Sequence, residues 1–317
     1  MAWLPNMRRI IPNPSLHQPR MQYTAEETTH EMRFEVVAIS SYVVLMSKKP
    51  LVDRSCLIRN RARKNSERGD FLHNEAILDV QDRLTFVNKE FSKVAIVTGM
   101  PEVWSKAFPK ATVVLDDEVL DLGQGSYDLI IHGMSLHWAN DPVGQLIQMR
   151  RALSPDGLMI AAFLGGDTLN ELRSSLAEAE IAVSGGLSPR VLPMGEIRDA
   201  GSLLQRAGFA LPVADSAKLS AEYDNIFHLM SDLRGMGEAN AMTDRLKSFT
   251  RRDVFTRANE IYAASFSNSA DKCVATFEIL MLTGWAPDES QPKPLRPGSA
   301  TMRLAEALGT QENQIKN

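Results

Sequence analysis

Residues 127–133 read Tyr-Asp-Leu-Ile-Ile-His-Gly, residues 135–138 Ser-Leu-His-Trp, residues 154–157 Ser-Pro-Asp-Gly, and residues 158–166 Leu-Met-Ile-Ala-Ala-Phe-Leu-Gly-Gly. The first run is a strand pattern that breaks into a loop, and the last is the nearly unbroken apolar run of a strand buried on both faces. Between them Asp141 has the chemistry of an N-cap, with Pro142 at the first helical position. Val143, Leu146, Ile147 and Leu153 then form one apolar stripe, and Asp156-Gly157 is expected to end the helix. Strand, loop, helix, turn and strand make a βαβ unit, which commits this part of the chain to a parallel sheet.

Outward from this unit the alternation continues. Upstream, the basic run Arg59, Arg61, Arg63, Lys64 and Arg68 opens a helical stretch that carries on through Phe71, Ile77, Leu78 and Leu84. That charged run is expected to be a solvated helix face rather than an anion-binding patch. Val94–Val97 is a strand, Glu102–Phe108 a short helix, and Ala111–Leu115 a second strand that runs into Asp116-Asp117-Glu118. Downstream, Thr168 and Glu171 have capping-box spacing for a helix through Leu172 and Leu176, and Gly185–Pro193 is a loop. Helices follow through Ala200–Ala207, Ile226–Leu233 and Val254–Tyr262, with a flexible segment at Arg234–Asn240, and Val274–Trp285 is the last strand. The fold class is therefore α/β, a doubly wound, mostly parallel sheet with an inserted helical cap around residues 168–265. Residues 1–50 have no periodicity and are expected to form an extension without a part in the core, with the domain at 51–310 and a tail at 311–317.

Bulk composition narrows the function. With 317 residues, 44% of them apolar, the chain can bury a sizeable core. A net charge of −4 argues against nucleic acid as the partner. The two cysteines, Cys56 and Cys273, are too few and too far apart for a disulfide framework or a zinc site, and isolated thiols suit a reducing compartment such as the cytoplasm. The apolar run from Phe34 to Met46 is too short to span a bilayer, which leaves at most a peripheral membrane contact.

Particular motifs carry a resemblance. Ser135–Trp138, Leu153–Gly157, the block Gly-Gly-Asp-Thr-Leu-Asn-Glu-Leu-Arg at 165–173, Gly185–Arg190, Leu203–Phe209, Asp232–Glu238 and Gly284-Trp285 together resemble one family. It is that of the bacterial relatives of the mitochondrial complex I assembly factor with a class I, Rossmann-like S-adenosylmethionine methyltransferase fold. A more distant similarity is to the malonyl-acyl-carrier-protein methyltransferase of biotin synthesis. The resemblance implies either methyl transfer to a protein or small molecule, or hydroxylation of an arginine on a complex I subunit. A non-catalytic assembly protein that kept the fold is the third reading.

Carried over residue by residue, the resemblance puts cofactor contacts at Thr98, Gly99, Asp116, Asp117 and Ser135. Two departures weaken them. The acid of the usual glycine loop falls on Ile96, its glycines on Thr98, Met100 and Glu102, and only Gly99 remains, displaced by one. Pro101 removes a further backbone donor. Only about a dozen residues separate Pro101 from Val113, too few for the family's extra strand and helix, so its ribose-binding acid is expected to be missing. S-adenosylmethionine is accordingly expected to bind weakly or to have been lost. His137, Asp167 and Glu238 are polar residues placed at the cleft mouth, candidates for catalysis or for holding a basic side chain. Packing of the cleft wall competes for His137, and capping of the next helix competes for Asp167. His132 and His137 lack a third residue at metal-ligand spacing, so no metal is assigned.

Overall fold

The computed structural model describes residues 49–64, 67–292, 302, 306, 309 and 310. The expectations for residues 1–48 and for the tail after residue 310 lie outside the described residues.

Six strands form one sheet in the order β2-β1-β3-β4-β6-β5. They are β1 (Val94–Thr98), β2 (Thr112–Val114), β3 (Tyr127–Gly133), β4 (Leu153–Leu164), β5 (Ala210–Tyr223) and β6 (Cys273–Trp285). The first four pair in parallel, whereas β6 runs antiparallel to both β4 and β5. The helices are α1 (Arg54–Ala62), α2 (Phe71–Phe86), α3 (Pro101–Ala107), α4 (Pro142–Ala152), α5 (Asn170–Ser184), α6 (Ile197–Ala207), α7 (Ile226–Met236) and α8 (Arg252–Phe266).

Strand alternation divides the core between the two faces of the sheet. Ile96, Ile131, Leu158 and Ile160 point to one face, where Leu72 and Val80 of α2, Leu172 of α5 and Tyr262 of α8 cover them. Ala95, Val97, Ile130 and Met159 point to the other, against Leu146 and Met149 of α4 and Leu204 of α6. Each fully buried Leu, Ile or Met contributes about 1.5–3 kcal/mol relative to exposure, so this double layer dominates the stability.

Four local expectations change. The basic stretch is two helices, not one, because a 3-10 turn at Glu67–Asp70 separates α1 from α2. There Gly69 packs against backbone: a Cβ on it would sit 2.7 Å from the Gly235 carbonyl oxygen. Helix α4 ends at Ala152, so Leu153 opens β4 instead of closing the stripe. The capping box does not form either. The Thr168 hydroxyl accepts from the Glu278 N–H (3.0 Å), and the Glu171 carboxylate accepts from Thr276 (N–H at 3.2 Å), so both side chains tie α5 to β6. Finally, the stretch 168–265 is not purely a helical cap. It contributes β5 to the sheet and α6 to the face opposite α5 and α8. Strand β5 escaped the sequence reading because its mostly exposed edge position leaves no clean alternation.

Candidate functional site

The chain leaves β1 toward β2 on one side and returns to β3 on the other, so the topological switch point lies at the carboxyl ends of β1 and β3. Open α/β sheets receive their ligands in such a crevice. Here it is laced shut by short polar bonds. The Gly99 N–H donates to Ser135 Oγ at 2.8 Å, and Thr98 Oγ1 donates to the Gly133 carbonyl at 2.9 Å while accepting from the Met100 N–H at 3.1 Å. Thr98 and Ser135 are buried, and their hydroxyls are spent on joining β1 to β3.

Strand β2 sits directly beside β1, so the shortened connection closes the gap in the sheet rather than leaving a hole. A carboxylate consequently stands just beyond the strand next to β1 after all: Asp116, 3% exposed. It is already occupied. Arg61 Nη1 donates to its two oxygens at 2.8 and 3.0 Å, and Arg54 reaches them at 3.3 and 3.4 Å. Arg54 also bonds the exposed Asp117 at 3.3 Å. Burial alone would push the Asp116 carboxyl up, but the two guanidiniums outweigh it and hold it below the usual carboxylate value. The expected solvated face is thus corrected at Arg61, whose side chain is only 9% exposed. Sequence held a signal for this. Arg54 and Arg61 are two helical turns apart and share one face of α1.

The second cluster is at the other side of the switch point. His137 and Trp138 lie in a 3-10 turn after β3, and Glu238 follows the Gly237 cap of α7. Glu238 Oε2 accepts from Trp138 Nε1 at 2.6 Å and lies 3.2 Å from His137 Nε2. The Leu164 N–H donates to His137 Nδ1 at 3.4 Å, which puts the imidazole proton on Nε2, facing Glu238. Burial would raise the Glu238 carboxyl, yet His137, Arg61 and Trp138 together hold it below the usual value. Both donors reach the same oxygen, so Oε1 takes no hydrogen bond among the described residues.

Glu238 lines a cavity of about 220 Å³ whose walls include Leu164, Leu172, Leu233 and Phe277. Arg190, Arg234 and Asn240 of the two covering loops line it too. Arg190 is held by Glu180 at 2.6 Å, and Asn240 Nδ2 donates to the Pro189 carbonyl at 2.8 Å, clasping one loop to the other. The segment expected to be flexible is therefore the end of α7 plus an ordered clasp.

The structure brings His137 together with Glu238 and gathers Thr98, Gly99, Asp116 and Ser135, with Asp117 on the rim. It leaves Asp167 apart. That carboxylate pairs with Lys218 at 2.5 Å and lines a different depression with Arg173 and Glu196. His132 is fully buried and bonds Gln145 at 3.1 Å; burial pushes it down to about 4. Among the described residues no group of three or more His, Cys, Asp or Glu is placed to hold a metal ion.

Comparison with known proteins agrees with this architecture. A family profile described as a methyltransferase domain matches residues 79–161. The arginine-hydroxylase NDUFAF5, mitochondrial, of Dictyostelium discoideum is 44% identical over 197 residues, which is 62% of this chain and 45% of that protein. The chain thus spans less than half the length of this relative. A Rickettsia prowazekii protein named as a methyltransferase is 35% identical over 151 residues, covering 47% of this chain and 67% of its own length. The malonyl-[acyl-carrier protein] O-methyltransferase of Laribacter hongkongensis is 33% identical over 177 residues, 56% of this chain and 57% of that one. The chain belongs to the methyltransferase-fold family that holds the NDUFAF5 arginine-hydroxylases and their bacterial relatives.

Proposed function

We propose that the chain takes an arginine side chain of a protein partner into the Glu238 cavity and, through that contact, supports assembly of respiratory complex I. The observation that carries this is an ionised carboxylate, Glu238, that lines a largely apolar cavity and whose Oε1 takes no hydrogen bond among the described residues. A buried carboxylate is costly unless paired, and its chemistry asks for a cation. Arginine suits it best: the hydrocarbon stem lies along Leu172, Leu233 and Phe277 while the planar guanidinium meets the carboxylate. The name of the Dictyostelium relative points the same way.

In this reading His137 is a positioning residue. With both ring nitrogens engaged it orients Glu238, and no proton transfer is assigned to it. Asp167 is placed outside the cavity as a rim contact for the partner. The partner is a protein, with no nucleic acid and at most peripheral membrane contact, in the cytoplasm. Among the described residues no helix is long and apolar enough to cross a membrane.

Methyl transfer is the other activity of the fold, and S-adenosylmethionine the donor it implies. The residues over Gly99 do not fit that ligand while Arg61 lies there, so no step is routed through it.

The test is calorimetric titration of the full chain with a short arginine peptide and with its citrulline counterpart, which keeps the shape and loses the charge. The arginine peptide should bind at least about tenfold more tightly, and Glu238→Gln should erase the difference. Equal binding of the two peptides by the parent protein would sink the reading.

A further inference from the structure

The one glycine left in the loop after β1 has a neighbour that explains it. A Cβ on Gly99 would lie 2.1 Å from the Arg61 Cζ and Nη1 and 2.6 Å from Nη2. The guanidinium is therefore laid flat against the bare Cα, a place only glycine leaves open. A second glycine holds the same side chain from behind. A Cβ on Gly237 would come 3.0 Å from the Arg61 Cα and 3.3 Å from its Cγ. The far end is fixed by Asp116, and the whole residue is walled in by three segments that lie far apart in sequence.

This is the volume that a nucleoside ligand needs in an open α/β sheet, against the glycine at the strand end and beside the carboxylate of the next strand. The side chain fills it incompletely in one respect. Arg61 Nε is buried without a hydrogen-bond partner, so the packing here is imperfect and the pair with Asp116 is the main tether.

We propose that Arg61 is a built-in stopper: its guanidinium occupies the nucleoside position over Gly99 and claims the Asp116 carboxylate, so the folded chain excludes S-adenosylmethionine until that side chain is removed. The stopper lies on α1, outside the strands that make the crevice, so the exclusion is a property of a docked helix rather than of the loop alone. Arginine recognition at Glu238 uses a different cavity, although the Arg61 charge also acts on that carboxylate.

Two variants of the full chain test it by calorimetric titration with S-adenosylmethionine itself. Arg61→Ala empties the volume and leaves Arg54 on Asp116; Arg61→Lys keeps a cation on Asp116 but removes the planar group from Gly99. The parent should show no saturable binding up to roughly 1 mM, and at least one variant should bind at least about tenfold more tightly than the parent. Micromolar binding by the parent overturns the proposal. So does the failure of both variants, each shown to be folded by far-ultraviolet circular dichroism, to bind better than the parent. The arginine-peptide titration is run on the same variants as a separate readout: Arg61→Lys keeps the positive charge that acts on Glu238 and should still favour the arginine peptide over its citrulline counterpart.

Discussion

Trp138 donates its indole N–H to the Glu238 carboxylate across 2.6 Å, joining the turn after β3 to the end of α7, 100 residues further along the chain. Removing the acceptor strands a buried donor, which costs on the order of 1–3 kcal/mol. Glu238→Ala should therefore lower the stability by about that amount in denaturant titrations. Glu238→Gln keeps an oxygen for Trp138 and should cost less than half as much, while losing the preference for the arginine peptide over its citrulline counterpart. A Glu238→Gln protein that unfolds as readily as Glu238→Ala would show that charge, not the hydrogen bond, holds the clasp.

The two buried histidines set an acid limit. Burial pushes both His73 and His132 down to about 4 from an ordinary value of 6.5. The unfolded chain then binds protons that the folded chain refuses, so stability falls as pH drops from 6.5 toward 4. At pH 5 each histidine should account for about 2 kcal/mol of the loss relative to pH 7.5. Asp116 acts in a separate window, losing its contribution only as pH falls below its ordinary 3.8. Denaturant titrations at several pH values should show the drop, and His132→Gln should remove about half of it. A slope unchanged by that substitution would count against the assignment.

Gly99 and Arg61 should be energetically coupled. Gly99→Ala in the parent must push the guanidinium off Asp116 and should cost about 1–3 kcal/mol, as overpacking does. In an Arg61→Ala background the same change should cost under about 0.5 kcal/mol, because the clash has gone. Additive effects in this double-mutant cycle would show that the loop after β1 is intolerant for some other reason.

Gly69→Ala tests the break between α1 and α2. Its new methyl group would press on the Gly235 carbonyl, and backbone cannot rotate aside as a side chain can. A loss of about 1–3 kcal/mol is expected. No measurable change would mean that the 3-10 turn yields freely.

How far the sequence could be read follows from where each residue spends its interactions. The βαβ core was legible because its signals are local: Asp141 caps α4 by accepting from the Gly144 N–H at 2.8 Å, and the apolar run of β4 is buried throughout its last seven residues. Thr168 and Glu171 misled because their partners, Glu278 and Thr276, are more than a hundred residues away, and long-range bonds leave no local pattern. Arg61 misled for the same reason. A cation on a charged helix reads as solvated unless its acid is known, and Asp116 is 55 residues away. The pairing of His137 with Glu238 was foreshadowed only as two polar residues at one cleft mouth. The glycines on either side of Met236 make the stretch around Glu238 read as flexible, whereas Gly237, in the left-handed conformation, turns Glu238 inward.

The last strand among the described residues, β6, is not at the edge of the sheet but between β4 and β5, hydrogen-bonded on both sides. Until residue 285 has been made, β4 has one open flank and β5 has two, each offering unpaired backbone to any neighbouring chain. Synthesis of this protein therefore passes through a long sticky interval that ends only when β6 is made. A chain cut short before Cys273 would yield an aggregation seed rather than a smaller version of the fold.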